Sequence, residues 1–496
     1  MRTTEIQKDI RYHQIELIGN MKNEWTITLD NFSAGAGPAA HLDSLSTLGG
    51  AGHYSTATSI DILSKPKKIT QGPALANLTN GTQAGVVTEL ITHILETPTS
   101  ADVTFGISAT KLFKISSTTV ASGGTPSWPV TITGATAGKT VAYLKGTLYY
   151  FFNRAADSAI GAYDLATTFD HTWQTGLVKA TLLPVATKED IMLFGHGRYV
   201  GTFFSSTDTI DTTKLDFGNN TEVADICFHS NQWFIAVNSG TTGTNRNSSQ
   251  IYTYAGGATT ALLSDEAAVG LQKIGWLFPL NGIVYVAYQD LSFTGGYKIG
   301  YLNGKRIEPL VSFIGGLPTY AQKTLYKNTI LFLSNGLVYA AGSVIPDLPF
   351  AISNLADGGY STCGALAAPF GTPMIASTES TNFKLAQFSG NTVTCSWNSI
   401  IIPIAQGKNL GMLDEVIVKT NILGANARCD ATIYYNQSAS NSGALQITGT
   451  GKSRHTFRIG KTDIEDVKIK LDWANGNTTN LADIDTITLK GHFVQR

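Results

Sequence analysis

Residue types suited to chemistry occur throughout this sequence, but few stand at spacings that would let them work together. The stretch FGHGRY (194–199) sets an imidazole two positions from a guanidinium. His196 and Arg198 could meet at the mouth of a larger fold, although a lone histidine in a strand and turn more often serves packing than proton transfer. STDTIDTTKLD (206–216) offers Asp208, Asp211 and Asp216. A calcium site needs about six to eight oxygens and usually a glycine-assisted turn. The competing reading is that these Asp and Thr side chains satisfy turn backbone. In LADIDTITL (481–489), Asp483 and Asp485 read as alternate outward positions on one strand.

Glycoside hydrolysis would need two carboxylates held several ångströms apart, one with its pKa raised by burial. Asp265, Glu266, Asp290 and Glu308 are available, but nothing in their spacing pairs them. A sialidase would add repeated Ser-x-Asp-x-Gly-x-x-Trp turns and three converging arginines. Arg154, Arg198, Arg246 and Arg306 occur without such a turn. Nucleophile-elbow, phosphate-loop and H-E-x-x-H motifs are absent from the sequence. No residue stands out as catalytic, cofactor-binding or metal-binding, and a protein that is not an enzyme is expected.

Binding surfaces are similarly sparse. SKPKKI (64–69) is the sole basic cluster, and Lys65, Lys67 and Lys68 make too small a patch for duplex recognition. They read as a solvated linker turn. Trp128, Trp173 and Tyr254 could stack on sugars from exposed loops, or pack between sheets. The Asn-x-Thr sequons at Asn77 and Asn477 carry no weight, because MRTTEIQKDIRYHQIELIGN lacks the apolar core of a secretory signal.

The elements that must position these residues are strands. Charged residues are 14% of the 496 positions, well under the usual quarter, and the chain holds 50 glycines amid abundant Ser and Thr. That composition points to an all-β chain with many turns and with large buried or assembly-facing surfaces. A net charge of −1 leaves no electrostatic footprint for nucleic acid or an anionic membrane. Cys227, Cys363, Cys395 and Cys429 are scattered without a C-x-x-C pair and read as buried reduced thiols. The most hydrophobic window, IGWLFPLNGIVYVAY (274–288), is too short to span a bilayer and reads as a hairpin around Asn281-Gly282, so a soluble protein without membrane insertion is expected.

From about residue 102 onward, apolar strands recur around short turns: KG in AYLKGTLYYFF, SN in DICFHSNQWFIAVN and NG in ILFLSNGLVYAAG. Equivalent strands return every 40–50 residues or so, the interval of a four-stranded propeller blade. Blades are expected near 101–135, 138–180, 186–220, 221–265, 270–312, 316–350 and 360–397, a total of six or seven. A β-sandwich array or a β-helix is the alternative. After residue 398 the strands alternate apolar and polar over roughly 95 residues, the length of one antiparallel sandwich.

The predicted organisation is therefore all-β: a six- or seven-bladed β-propeller over 101–400, a C-terminal antiparallel β-sandwich over 407–496, and an extended N-terminal arm within 1–100. The arm includes WTITLDNF, a strand, and a long low-charge segment of small residues, SAGAGPAAHLDSLSTLGGAGHYSTATS, read as packing against its own propeller or a neighbouring copy. Within the same hundred residues, ITQGPALANLTNGTQAGVVTEL (69–90) has turn-forming Gly and Asn at short intervals and suits neither a strong helix nor a catalytic loop.

Three stretches taken together, WTITLDNFSAGAGPAAHL, ITQGPALANLTNGTQAGVV and TFGISATKLFKISSTTV, resemble the start of tailed-bacteriophage structural proteins built on a β-propeller. KGTLYYFF and NGLVYAAG echo the FGISATKLFKI strand pair, and the resemblance spans about 25–400. It implies a virion protein made in the bacterial host cytoplasm: a tail nozzle or hub subunit, or a minor tail protein near the tip. Its partners would be copies of itself in a ring, other tail proteins, genomic DNA passing non-specifically during ejection, and a host surface receptor if the protein sits at the tip. No cofactor is implied. A receptor- or carbohydrate-binding tail-tip protein is the second reading and a glycan-cleaving enzyme the third.

Overall fold

A computed structural model describes residues 24–30, 32, 35–36, 53–65, 67–97, 103–239, 249–256, 261–262, 271–290, 295–304, 306–342, 351–357, 360–404 and 410–494. Among the described residues regular structure is all strand, apart from two single-turn 3₁₀ segments at Tyr320–Gln322 and Pro369–Gly371. No helix among them is long and apolar enough to cross a membrane.

Seven four-stranded sheets follow one another along the chain. The first six open with His93–Thr97, Ala137–Leu144, Val185–Lys188, Thr221–His229, Leu271–Leu280 and Lys323–Tyr326, each followed by the next three strands in sequence. The seventh takes Thr362–Ala367, Met374–Glu379 and Asn382–Asn391, and is completed by Pro73–Thr82 from the other end of the chain. Each expected repeat from 101–135 to 360–397 falls largely on one of these sheets.

Tight hairpins set the register. Leu280 pairs with Ile283, so Asn281-Gly282 alone makes the turn, with φ of 50° and 80° at its two residues. Positive φ at both positions is the primed turn whose twist matches a strand pair, and Gly adopts it without steric cost. Ser230-Asn231 and Lys327-Asn328 turn in the same way.

The described chain divides into two compact units: Ala76–Leu337 with Gly358–Phe388, and Met1–Leu75 with Val338–Asp357 and Ser389–Arg496. In the first unit the opening strands of successive sheets lie against one another. His93–Thr97 neighbours Ala137–Leu144, which neighbours Val185–Lys188, then Thr221–His229, then Leu271–Leu280. Leu271–Leu280 neighbours the Tyr320–Gln322 turn, Lys323–Tyr326 neighbours Thr362–Ala367, and Thr362–Ala367 returns to His93–Thr97. Between successive sheets lie separate apolar clusters, for example Ile107, Leu112, Trp128 and Tyr150 between the first and second. Phe151, Leu183, Phe194 and Phe203 fill the space between the second and third.

In the second unit, Glu24–Leu29, Ile484–Val494, Leu410–Thr420 and Arg454–Ile464 form one sheet in that order. A second sheet runs Gly35–Ala36, His53–Thr58, Ser396–Ser399, Asp466–Asp472, Arg428–Tyr435 and Leu445–Thr448, with Ile402–Pro403 also paired to Asp466–Asp472. One apolar cluster, with Trp25, Trp397, Trp473, Ile469 and Leu489 at its centre, draws side chains from both sheets.

The segment read from sequence as an arm is divided differently. Trp25 and Ile27 are 2% and 1% exposed inside the second unit's core, and Tyr54 is fully buried there. Pro73–Thr82 and His93–Thr97 belong instead to the seventh and first four-stranded sheets. The small residues of ITQGPALANLTNGTQAGVV have a packing reason: a Cβ at Gly81 would sit 2.8 Å from the Leu385 carbonyl oxygen. Most of the low-charge run, 37–52, lies outside the described residues.

Candidate functional site

The opening strands of the first unit converge on a cavity of about 330 Å³. His93 and Glu96 come from the first sheet, Asp225 from the fourth, Tyr320 and Lys323 from the turn and strand that begin the sixth, and Leu366 from the seventh. Four ionisable side chains and a phenol thus meet where opening strands approach one another.

Asp225 interrupts an apolar run, Val223, Ala224, Ile226 and Cys227, and the strand carries a register shift between Val223 and Asp225. Its carboxylate is almost wholly occupied by protein donors. Oδ1 accepts the Ile226 N–H at 2.9 Å, while Oδ2 accepts the Leu277 N–H at 2.7 Å and the Lys323 ammonium. Lys323 also donates to the Leu277 carbonyl at 2.7 Å. The two side chains are 5% and 12% exposed. Burial raises the Asp225 pKa above its ordinary value, against the opposing pull of Lys323 and the backbone donors.

His93 accepts a hydrogen bond at Nδ1 from the Val141 N–H at 3.4 Å, which leaves Nε2 as the protonated, donating nitrogen. Burial, reinforced by the nearby Lys323 charge, pushes its pKa down to about 4, so the imidazole is neutral at physiological pH. Its ring lies 6.0 Å from that of Tyr320. The Tyr320 hydroxyl bonds the Thr140 hydroxyl at 2.7 Å and donates to the Lys139 carbonyl at 3.2 Å. Burial raises the Tyr320 pKa, so the phenol stays protonated.

Chemically, the cavity offers a locked ion pair, a neutral imidazole donor and a rim carboxylate. Sequence reading missed this site. Its one legible signal was a charged residue in the middle of an apolar strand at Asp225, and the partners lie too far along the chain to be paired by spacing.

The residues singled out by sequence lie apart from this cavity. His196 is 2% exposed and structural: Nε2 donates to the Thr212 carbonyl at 2.7 Å, and Nδ1 accepts the Val178 N–H at 3.1 Å. Burial lowers its pKa, with the Thr212 bond opposing. Arg198 lines a separate depression of about 770 Å³, where its guanidinium packs 4.6 Å from the Tyr199 ring centroid and pairs with Asp216 at 3.2 Å. Asp211 and Asp216 each accept a backbone N–H two residues ahead, and Asp208 occupies a positive-φ turn position. Among the described residues no three His, Cys, Asp or Glu side chains group as metal ligands would. Asp265, Glu266 and Arg246 lie outside the described residues. Glu308 sits on the last strand of the fifth sheet opposite Tyr301, and Arg306 begins that strand. Arg154 pairs locally with Asp157 at 2.8 Å.

Two expectations are corrected outright. Asp483 does not face outward: it is 2% exposed and receives hydrogen bonds from Lys65 and the Thr70 hydroxyl. Lys68 pairs with Asp485 at 2.8 Å. The basic turn is therefore tied to the last strand, which the paired backbone bonds between Ile69 and Ile484 bring alongside. Of the two readings open for Trp128 and Tyr254, packing between sheets is the one that holds, at 6% and 3% exposed. Trp128 packs within 5.7–6.0 Å of Phe105, Tyr163 and Phe169. Trp173, partly buried, lies 4.9 Å from Tyr149 and 5.0 Å from Phe203.

The sequence matches no protein-family model and no curated protein. Solved structures share its β-rich architecture at low identity. The extracellular domain of a hybrid two-component system from B. thetaiotaomicron is 12% identical, with a TM-score of 0.45 over 75% of this chain and 46% of that one. This chain thus spans about half of that relative. An exo-β-1,3-galactanase from Phanerochaete chrysosporium is 11% identical, with a TM-score of 0.30 over 85% of this chain and 100% of that one. The N-terminal domain of Nup159 is 8% identical, with a TM-score of 0.39 over 64% and 96%. None of the three is a phage tail protein, and at such scores the likeness carries no functional argument.

Proposed function

We propose that this chain is a non-catalytic structural subunit of a bacteriophage tail, a nozzle, hub or tip-proximal ring component. In this reading the seven four-stranded sheets are the blades of a β-propeller, and the two sheets of the other unit form a β-sandwich. The observation that carries it is the return of the seventh sheet's opening strand to the first, together with completion of the seventh sheet by Pro73–Thr82. A strand borrowed from the far end of the chain holds such a series together at its weakest joint, which suits a part that bears load. The resemblance over 25–400 supplies the tail context.

In this reading DNA does not pass through the first unit, where the opening strands enclose a cavity of only about 330 Å³ and the Asp225–Lys323 pair joins neighbouring sheets. A conduit would run between copies of the chain. Native mass measurement of the purified protein, with imaging of particles tagged at the C-terminus, tests the proposal. The expected results are a closed homo-oligomer and a tag density on the tail. A strictly monomeric protein absent from the particle would overturn it.

A further inference from the structure

We propose that the cavity bounded by His93, Glu96, Lys323, Thr324 and Leu366 is a binding site for one neutral sugar ring. This inference is independent of the tail assignment. At about 330 Å³ the cavity lies at the lower end of the range for small-molecule sites, which suits a single ring and not a chain of them.

The free polar atoms define the ligand class. Glu96 is exposed at the cavity wall and has no hydrogen-bond or ion partner among the described residues, so its carboxylate can accept two O–H donors from a vicinal diol. His93 offers its Nε2–H, because Nδ1 is occupied by Val141. Lys323 spends two donors on Asp225 and the Leu277 carbonyl, and an ammonium has three. Leu366, Ala368 and Pro369 supply an apolar flank against which the C–H face of a ring can lie. One acceptor, two donors and an apolar flank, all lining one cavity, fit hydroxyls disposed around a pyranose.

Charge narrows the class further. Glu96 and Asp225 stand against Lys323 alone, and His93 is neutral, so the site carries one net negative charge. Uronates, sialic acids and phosphates would be repelled. Asp225 is saturated by Ile226, Leu277 and Lys323, which leaves Glu96 without a second free carboxylate for bond cleavage. The site binds and does not hydrolyse.

The test is saturation-transfer NMR and calorimetry on the full chain with the methyl glycosides of glucose, galactose and mannose, N-acetylglucosamine, galacturonate and inorganic phosphate. Expected is binding of at least one neutral glycoside in the millimolar range or tighter, with galacturonate and phosphate at least tenfold weaker. Glu96→Gln and Glu96→Lys, at an exposed position and checked for unchanged thermal unfolding, should weaken that glycoside at least fivefold. Absence of binding by every neutral sugar, tighter binding of galacturonate, or binding indifferent to both Glu96 variants would each overturn the proposal.

Discussion

Lys323 and Asp225 stand 98 positions apart in the chain and meet as a buried ion pair that also grips both the N–H and the C=O of Leu277. Opening strands of three sheets, the fourth, fifth and sixth, are thereby fastened by two side chains. Removing one partner leaves the other charge in an apolar setting, which costs far more than the pair itself contributes. Lys323→Met should therefore lower unfolding free energy by about 3–5 kcal/mol. Adding Asp225→Asn to it should recover a good part of that loss. Urea unfolding followed by tryptophan fluorescence distinguishes the two, and a single variant as stable as the parent would refute the buried pairing.

His93 makes stability depend on acid. Its folded pKa, about 4, lies below the 6.5 of a free imidazole. The unfolded chain therefore takes up this proton first as pH falls. The stabilisation is fully present above about pH 6.5, declines as the pH falls through the folded value, and is gone below it. The gap corresponds to about 3 kcal/mol. His93→Gln should flatten the urea midpoint between pH 7 and pH 4 relative to the parent; an identical slope in both proteins would exclude His93 as the source.

At His196 the effect should be structural only. His196→Phe keeps a ring in place but strands the Thr212 carbonyl and the Val178 N–H. About 1–3 kcal/mol of stability should be lost for each buried group left unmade. Arg198→Ala removes an exposed pairing with Asp216 and should change stability by less than about 1 kcal/mol. Parallel denaturation of the two variants checks this order, and a larger loss at Arg198 would reverse the assignment.

The four thiols should be slow to react in the folded state. Burial pushes Cys363 up to about 11 and Cys395 up to about 12, and it raises Cys227 and Cys429 as well. Thiolate is the reacting species, so little is present at pH 8. A chromogenic disulfide reagent should titrate four thiols rapidly in denaturant and few without it. Prompt reaction of all four in the native protein would contradict their burial.

Deleting residues 33–58 should unfold the second unit and not merely block assembly, because His53–Thr58 is a strand there and the Tyr54 hydroxyl donates to Ser353 at 2.7 Å. Trp25→Ala, at a position 2% exposed, should cost about 3–5 kcal/mol. Differential scanning calorimetry is the measurement, and an unchanged transition would mean that the N-terminal strand is dispensable.

Strand content, hairpin positions and the recurring interval were set by the sequence alone, because each depends on neighbours a few residues apart. Asn281-Gly282 must turn, and Leu280 and Ile283 must then face each other. The six strands after residue 410 follow from alternation in the same way. What the tertiary structure decided is which distant segments join. Pro73–Thr82 closes the seventh sheet, Glu24–Leu29 pairs with Ile484–Val494, and Lys65 finds Asp483 over 418 positions. Those pairings depend on backbone edges and buried charges finding complements in space, and local periodicity holds no record of them. Asp225 showed in the sequence only as a charge out of place, and Lys323 explains it once the sheets are brought together.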